Sequence, residues 1–335
     1  MRTGTGLSTK IEEADHTTTF GEQLACLVIY ACGAVCDTPE IALDAAAGAN
    51  FIYKAAGLFD DIQDQDKPDS LAAMVGNGAA MNTASLMLLL GQDLVNEAVA
   101  KIVSEQQNRL EEKDLSRSDF AHNPFQLWHH LSQMLTFGFR CQLLDLQEGQ
   151  LPLIARLENP DFYLAKNGLK AGFICSFFVE LGVILGFGGD HHQIASYRQF
   201  GFAFGMAMQL MADLGDFLST SEFGRRDISH RQLTVPIIYA YQDFVFETEK
   251  NRFIELWQNS TAPTSKIIEI IDSKQVTLQV IALIVRYVVE ADSHLRVVDP
   301  NLEKREHQMM LEMLQSFVQR LRQQFILATN TTNLM

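Results

Sequence analysis

Apolar residues recur at intervals of three and four positions along most of this chain, which is the spacing of one face of an α-helix. No stretch alternates apolar and polar residues as β-strands do, and no Asn-Gly pair joins two strand-like runs. We therefore predict an all-α fold. The predicted helical stretches are residues 24–59, 71–103, 125–146, 162–185, 194–218, 235–257, 265–271, 276–289 and 302–325.

Short segments rich in Gly, Pro, Ser, Asn or Asp separate these stretches. They fall at residues 66–70, 76–78, 113–124, 186–190, 220–229, 259–264 and 298–301. None is a long low-complexity linker, so nothing marks a domain boundary. We predict a polar tail at residues 1–19, followed by a single large helical bundle over residues 20–335.

Composition narrows the class of protein further. Hydrophobic residues make up 47% of the chain and charged residues 20%, as in ordinary globular proteins. The formal charge of −15 argues against nucleic acid as a partner. The apolar runs at 24–35 and 85–90 are shorter than the roughly 18 residues of a membrane-spanning helix, and the polar start does not resemble a signal peptide. We expect a cytoplasmic protein without a transmembrane segment.

The cysteines are Cys26, Cys32, Cys36, Cys141 and Cys175. Five cysteines scattered over 335 residues do not form a disulfide framework. Cys32 and Cys36 stand one helical turn apart, but no His or Cys group near them completes a zinc site. We expect free, buried thiols.

An aspartate cluster, Asp60, Asp61 and Asp64, closes an otherwise apolar helix. Residues four apart lie on one helix face, so Asp60 and Asp64 point the same way. Their charges repel, and the helix dipole disfavours anions at a C-terminus. Local stability therefore gives no reason for the cluster, and a hard cation does, since Mg²⁺ binds one or two carboxylates together with phosphate oxygens. The alternative is a solvated acidic helix end.

A second acidic cluster follows about 150 residues later and closes another apolar helix. It contains Gln209, Asp213 and Asp216. Two acidic helix ends that face each other can hold several Mg²⁺ ions, and nearby cations can bind diphosphate oxygens. The candidate diphosphate-binding cations are Arg225, Arg226, Arg231 and Lys170.

These motifs, in this order over about residues 21–240, resemble the trans-isoprenyl diphosphate synthase superfamily, which includes chain-elongating prenyltransferases and class I terpene synthases. The further matching positions are Gln142, Asp145, the segment 170–172, Asp227, Gln232, Thr234 and Pro236. The resemblance implies the isoprenoid synthase helical bundle, Mg²⁺ held by both aspartate motifs, Gln142 as a diphosphate ligand, and a homodimer. It also implies that the metal ionises an allylic prenyl diphosphate by stabilising the departing charge.

Several residues are candidates for the wall of the prenyl pocket. Ala55 and Ala56 lie one turn before Asp60, where small residues leave the pocket floor open, and the resemblance implies a prenyl chain of about fifteen to twenty-five carbons. Tyr53, Phe59 and Phe173 are the other candidates, since aromatic faces stabilise cations. The alternative is that the alanines permit close helix packing and that the aromatic rings are ordinary core.

The chain departs from the elongating members that it resembles at the site of the second substrate, isopentenyl diphosphate. A Gly-Lys-x-x-Arg element, a histidine and an arginine pair are replaced by residues 21–25, Tyr53 and residues 67–70, and Ala212 replaces the leading acid of the second motif. Burying a second diphosphate without cations is costly.

We therefore predict a terpene synthase that acts on one prenyl diphosphate. The alternatives are an isoprenyl transferase, either chain-elongating or peptide-modifying, and a non-catalytic subunit that binds prenyl diphosphates.

Overall fold

The computed structural model of the protein describes residues 20–64, 70–110, 124–148, 151–186, 191–219, 225–271 and 274–332. Within these ranges the chain forms helices and turns and no strand, so the predicted all-α class is confirmed. The helices are α1 Phe20–Gly33, α2 Leu43–Asp64, α3 Leu71–Val75, α4 Asn77–Leu110, α5 Pro124–Glu148, α6 Leu153–Leu157, α7 Pro160–Asn167, α8 Phe173–Leu185, α9 His191–Leu218, α10 Arg226–Ser229, α11 Val235–Gln242, α12 Glu247–Gln258, α13 Thr264–Ile271, α14 Lys274–Val298 and α15 Arg305–Thr332.

The chain divides into two compact units. The first unit comprises Met1–Arg117 and Leu181–Gly188, and the second comprises Ser118–Glu180 and Gly189–Met335. The expected single domain stays a prediction, and the expected polar tail at 1–19 lies outside the described residues.

The first unit is built on α1, α2 and α4. In α1, Leu24, Leu27, Val28 and Ala31 are fully buried, and their spacing places them on one helix face. The start of α2 is rich in alanine, the best helix former. A Cβ atom on Gly48 would lie 2.6 Å from the backbone oxygen of Gly91, so the backbones of α2 and α4 touch at this point.

Two predicted helical stretches are interrupted. The stretch 24–59 is broken after Gly33, and a 3₁₀ turn, Pro39–Ala42, precedes α2. Pro39 has no N–H for a continuing helix, and the Thr38-Pro39 pair was the missed signal. The stretch 235–257 is likewise broken between α11 and α12. The predicted break at 76–78 is confirmed by Gly76, whose φ of 85° ends α3.

The second unit has α9 at its centre, packed against α14 and against a π-helical segment, Gly168–Gly172, that joins α7 to α8. Large side chains of α9 form its core: Phe200, Phe204, Met206, Leu210 and Leu214 are almost completely buried. A Cβ atom on Gly205 would lie 2.2 Å from the backbone oxygen of Ala171, so α9 passes the π-helical segment in direct backbone contact.

A buried polar network joins α9 to the start of α15. The hydroxyl of Tyr197 lies 2.8 Å from Nε2 of His307, and Nδ1 of His307 lies 2.8 Å from Oδ2 of Asp299. Burial lowers the pKa of His307, opposed by its hydrogen bond to Asp299. Burial alone would raise the pKa of Asp299, but hydrogen bonds from His307 and from the backbone N–H groups of Lys304 and Glu303 lower it to about 2.

A second polar contact in this unit is the ion pair between Glu180 and Arg198. The Glu180 side chain is 3% exposed, whereas that of Arg198 is 47% exposed. Nε of Arg198 donates to Oε2 of Glu180 at 3.0 Å, and NH2 donates to Oε1. The carboxylate is therefore buried with its charge paired.

One helical stretch among the described residues, Pro160–Leu185, is long and apolar enough to span a membrane. The sequence predicts most of it as one helical stretch, 162–185, but only the shorter runs at 24–35 and 85–90 were weighed as membrane spans. Two thirds of its most apolar window, 67%, are buried inside the protein, as in the core helix of a globular fold. Such a single helix is weak support for a membrane span.

Candidate active site

The first aspartate motif lies where the sequence predicts it, on the last turn of α2. Asp60 and Asp61 are partly exposed, whereas Ile62 between them and the helix end is buried against Ala72 and Ala80. This apolar anchor fixes the rotation of the helix end and keeps the two carboxylates at the surface. The backbone of Asp64 is helical, but its side chain lies outside the described residues.

The candidate pocket residues of α2 have different environments. Ala55 is completely buried, which agrees with close helix packing, whereas Ala56 is exposed. Phe59 is partly buried. Tyr53 lies against the start of α1, where a Cβ atom on Gly21 would be 3.0 Å from its ring. The burial of Ala55 thus fits the packing alternative, and the pocket role of both alanines stays a prediction.

Asp213 of the second motif is buried in the second unit, with an exposed fraction of 4%. Nε2 of Gln209 donates to its Oδ1 at 2.8 Å, and the hydroxyl of Tyr163 donates to its Oδ2 at 3.4 Å. Burial raises the pKa of Asp213 to about 6, although the hydrogen bond from Gln209, the charge of Lys166 and the N–H of Val235 all favour the carboxylate. The structure thus supplies several donors to one buried acid.

Asp216, near the end of α9, binds the start of the short helix α10. Its Oδ1 accepts the backbone N–H of Arg226 at 3.0 Å, and its Oδ2 accepts that of Asp227 at 3.1 Å. Both N–H groups lie in the first turn of the short helix α10, where they have no carbonyl partner within the helix. The Asp216 carboxylate therefore caps this helix. The residue before them, Arg225, has a φ of 59°. Asp216 therefore shapes the segment that carries the two arginines.

The three candidate arginines differ in what they contact. Nε of Arg225 donates to the carbonyl oxygen of Ser219 at 3.0 Å, and Arg226 is exposed. NH1 of Arg231 donates to the carbonyl of Ile228 at 2.6 Å, and NH2 to that of Ala262 at 2.9 Å. Arg231 thus links the end of α10 to the segment before α13 by hydrogen bonds. This geometry gives no support to its predicted contact with diphosphate, which stays a prediction.

Lys170 lies in the π-helical segment, a rare conformation that often marks functional sites. Its charge acts on the thiol of Cys141, whose pKa is raised by burial, and Cys141 directly precedes Gln142 on α5. Beside this segment the rings of Phe137 and Phe173 lie 4.4 Å apart. The structure therefore packs α5, the helix that carries Gln142, against the segment that carries Lys170, and the diphosphate role of these residues stays a prediction.

Three residues of this region were not among the predicted site residues. Tyr163 and Lys166 of α7 act on Asp213 through a hydroxyl and a charge, and Nζ of Lys166 lies 4.5 Å from the Tyr163 ring centre. Thr234 precedes Val235, and its hydroxyl is buried without a hydrogen-bond partner. The sequence carries no local signal for them; in the structure, the buried hydroxyl of Tyr163 finds its partner in Asp213.

The carboxylates suit a hard divalent cation, because Mg²⁺ takes few protein ligands and completes its shell with phosphate oxygens and water. Within the described residues, no group of three or more His, Cys, Asp or Glu side chains is placed to hold a metal by itself. Asp60 and Asp61 belong to the first unit, and Gln209, Asp213 and Asp216 belong to the second. A cation bound by the partly exposed pair would thus complete its shell with oxygens of water or of a substrate.

Comparisons with known proteins agree with this fold. A geranylgeranyl pyrophosphate synthetase from Pyrococcus horikoshii Ot3 is 17% identical, with a TM-score of 0.70 over 89% of this chain and 85% of that chain. A polyprenyl synthase from Caulobacter crescentus CB15, complexed with calcium and isoprenyl diphosphate, is 17% identical, with a TM-score of 0.66 over 95% of this chain and 90% of that one.

A heptaprenyl diphosphate synthase from Staphylococcus aureus is also 17% identical, with a TM-score of 0.65 over 88% of this chain and 86% of that one. No curated protein matches the sequence. The family model for polyprenyl synthetases matches residues 15–273, a range that contains both aspartate motifs and the lysine, glutamine and arginine positions described above. This chain belongs to the polyprenyl synthetase family.

Proposed function

We propose that this chain is a magnesium-dependent prenyltransferase, which transfers the prenyl group of an allylic prenyl diphosphate to isopentenyl diphosphate. The family match over residues 15–273 carries the proposal. It favours the chain-elongating alternative over the single-substrate terpene synthase that the sequence analysis put first. The Caulobacter crescentus structure, complexed with calcium and isoprenyl diphosphate, supports a divalent ion and a prenyl diphosphate as ligands.

Asp60 and Asp61 hold the metal in this proposal, together with Asp64. Their carboxylates are partly exposed, and the buried Ile62 keeps the helix end that carries them in place. A magnesium ion bound there neutralises the diphosphate and stabilises the charge of the leaving group. Removing either carboxylate leaves the leaving group with less compensating charge.

In the second unit, Lys170, Gln142 and the exposed Arg226 are the groups that bind diphosphate oxygens. Lys170 lies on the π-helical segment, and contact with α9 fixes that segment. Gln209 orients Asp213, since its Nε2 donates to the carboxylate. An apolar wall that includes Phe173 excludes water from the allylic cation and offers it an aromatic face.

A terpene synthase is the second candidate, and one contact favours it. Residues 21–25 and Tyr53 are the positions where the resemblance implies the second diphosphate site. In the structure a Cβ atom on Gly21 would lie 2.8 Å from Oδ1 of Asn50 and 3.0 Å from the Tyr53 ring, so these segments meet. A phenol and an amide carry no positive charge, and a second diphosphate gains little from them.

Product analysis separates the two candidates. The purified protein is incubated with Mg²⁺ and geranyl, farnesyl, geranylgeranyl or geranylfarnesyl diphosphate, with and without isopentenyl diphosphate, and extracts are compared before and after phosphatase treatment. Longer diphosphates that form only with isopentenyl diphosphate support elongation. A hydrocarbon or alcohol formed without it supports the terpene synthase, and binding without any product would leave a non-catalytic subunit.

The metal site is tested with Asp60→Asn and Asp61→Asn. Turnover should fall at least about a hundredfold in each, because charge stabilisation by a bound metal is worth several kcal/mol. Asp93→Asn is the matched control, since Asp93 is an exposed aspartate of α4 in the same unit. Equal rates in all three variants would refute the assignment.

We also propose that the protein is a homodimer. Three exposed leucines of α4, Leu86, Leu89 and Leu90, support this proposal, with exposed fractions of 57%, 60% and 45%. Burying each against a second copy contributes up to about 1.5–3 kcal/mol. Light scattering coupled to size exclusion should give twice the chain mass, and Leu89→Glu should reduce it to the monomer mass.

A further inference from the structure

Two thiols face each other at the end of α1, in the first unit. Sγ of Cys32 and Sγ of Cys36 are 3.5 Å apart, and both cysteines are free. The backbone N–H of Cys36 donates to the carbonyl oxygen of Cys32 at 3.0 Å, so one helical turn separates the two residues. Cα atoms four residues apart in a helical turn lie about 6 Å from each other, within the about 4.4–6.8 Å between the Cα atoms of disulfide-bonded cysteines. The backbone already suits a disulfide.

The two thiols differ in their exposure. Cys32 is completely buried, and a Cβ atom on Gly186 would lie 2.8 Å from its carbonyl oxygen, so the backbone of residue 186 covers it. Cys36 is partly exposed and begins a surface segment in which Asp37 and Thr38 are exposed. An oxidant from solution therefore reaches Cys36 first.

The two thiols also differ in protonation. The hydrogen bond with Cys32 lowers the pKa of Cys36 to about 6; burial opposes this change, and hydrogen bonds with Thr38 add to it. The same hydrogen bond and burial raise the pKa of Cys32. Of the two thiols, Cys36 is thus the one that ionises more readily, and Cys32 is the one that keeps its proton. A thiolate is the reactive form of cysteine, and an accessible one next to a second cysteine is the arrangement of peroxide-sensitive pairs.

From this geometry we infer that Cys32 and Cys36 form a reversible disulfide when the protein meets a hydroperoxide. The Cys36 thiolate attacks one oxygen of hydrogen peroxide, the O–O bond breaks, and one water leaves after protonation. Cys36 is then a sulfenic acid. The Cys32 thiol attacks its sulfur, the S–O bond breaks, and a second water leaves. The two thiols lose two electrons and two protons, and the peroxide is reduced to water.

The remaining cysteines serve as internal references. Cys141 and Cys175 are buried, and burial raises the pKa of each. Cys26 is partly exposed, but burial raises its pKa as well. These three thiols keep their protons near neutral pH and are poor nucleophiles. Mild oxidation should therefore change the pair and spare the other three.

The experiment uses the full chain with Cys26→Ser, because the tryptic fragment 11–54 then carries only Cys32 and Cys36. Protein is treated with graded hydrogen peroxide, alkylated, digested and weighed by mass spectrometry. The fragment should lose the mass of two hydrogens and escape alkylation, and dithiothreitol should reverse both changes. Cys141→Ser in the same background is the matched control and should leave this result unchanged.

Single variants test the order of events. Cys36→Ser should leave Cys32 reduced, because Cys32 is buried. Cys32→Ser should let Cys36 pass from sulfenic to sulfinic acid, since no second thiol captures it. Should Cys26→Ser fail to fold, cleavage of the wild-type chain after Tyr30 separates Cys26 from the pair.

Two outcomes would overturn the inference. In one, Cys141 or Cys175 is oxidised while the pair stays reduced. In the other, Cys32 and Cys36 take up oxygen atoms independently, without the reversible loss of two hydrogens. Neither outcome depends on prenyl transfer, so this test and the test of the proposed function fail separately.

Discussion

Removing one hydroxyl from the network of Tyr197, His307 and Asp299 should destabilise the second unit measurably. Tyr197→Phe keeps the aromatic ring but removes the donor that lies 2.8 Å from Nε2 of His307. Tyr197 is 2% exposed and His307 1% exposed, so water cannot replace the lost donor. A buried acceptor left without a partner costs about 1–3 kcal/mol. We expect the free energy of unfolding to fall by that amount.

The measurement is equilibrium unfolding in urea, followed by tryptophan fluorescence and by circular dichroism. Both tryptophans, Trp128 and Trp257, belong to the second unit, so fluorescence reports the unit that holds the network. The change should appear in the fluorescence transition. A loss of less than about 0.5 kcal/mol, the range of neutral surface substitutions, would refute the claim that this hydroxyl satisfies His307.

The same network predicts how stability depends on pH. Burial lowers the pKa of His307, so the unfolded chain takes up its proton at a higher pH than the folded chain does. The stability that comes from neutral His307 is present above its unfolded pKa of about 6.5 and is lost as the pH falls below it. His307→Gln should weaken this dependence, whereas His192→Gln, at an exposed histidine of the same unit, should not. Equal slopes in both variants would contradict this explanation.

Three further substitutions follow from close contacts. Gly205→Ala would place a Cβ atom 2.2 Å from a backbone oxygen of the π-helical segment. We expect it to lower the free energy of unfolding by at least about 1–3 kcal/mol, measured by thermal unfolding. Gly138→Ala is the control, since its Cβ atom would have nothing within 4 Å, and it should be neutral or stabilising in the same assay. Arg198→Met should remove the ion pair that compensates the buried charge of Glu180. Because the arginine is half exposed, we expect a loss below the about 3–5 kcal/mol of fully buried pairs, and a larger loss than Glu180→Gln in urea unfolding. Arg231→Lys should lower the midpoint of thermal unfolding of the substrate-free protein, since an ammonium cannot bind two carbonyls as a guanidinium does. An unchanged midpoint would contradict this structural role and leave diphosphate binding as the role of Arg231.

Helical periodicity was sufficient to predict the fold class, because each helix buries one stripe of its own residues. Asp60 and Asp61 were predicted at a helix end for the same reason, since the apolar pattern stops there. The break after Gly33 was missed because Val35 continues the apolar pattern, although the backbone does not continue the helix. The spacing of apolar residues shows which face of a helix is apolar, but it does not show at which residue the helix ends.

Contacts between distant segments explain the rest of what the sequence did not reveal. The hydroxyl of Tyr163 bonds to Asp213, fifty positions away, and no local pattern links the two. Arg231 donates to backbone carbonyls, including that of Ala262, 31 positions away, which no side-chain pattern reveals, and its contact with diphosphate stays a prediction. The π-helical segment keeps the apolar pattern of an ordinary helix, so periodicity did not distinguish it. The predicted reaction class rested on the cations that residues 21–25, Tyr53 and residues 67–70 replace. Their replacement is compatible with a terpene synthase and with a prenyltransferase.

The contact between Gly48 and Gly91 has a consequence for how this protein can change over evolution. The backbones of α2 and α4 touch there, so α2 cannot slide along its neighbour without a clash. This contact, about three helical turns before Asp60 and Asp61, therefore fixes the position of the two carboxylates along the helix axis. Mutations at the exposed Ala56 can then accumulate without displacing the carboxylates. In such a protein the side chain at position 56 can vary while the position of the two carboxylates along the helix is inherited.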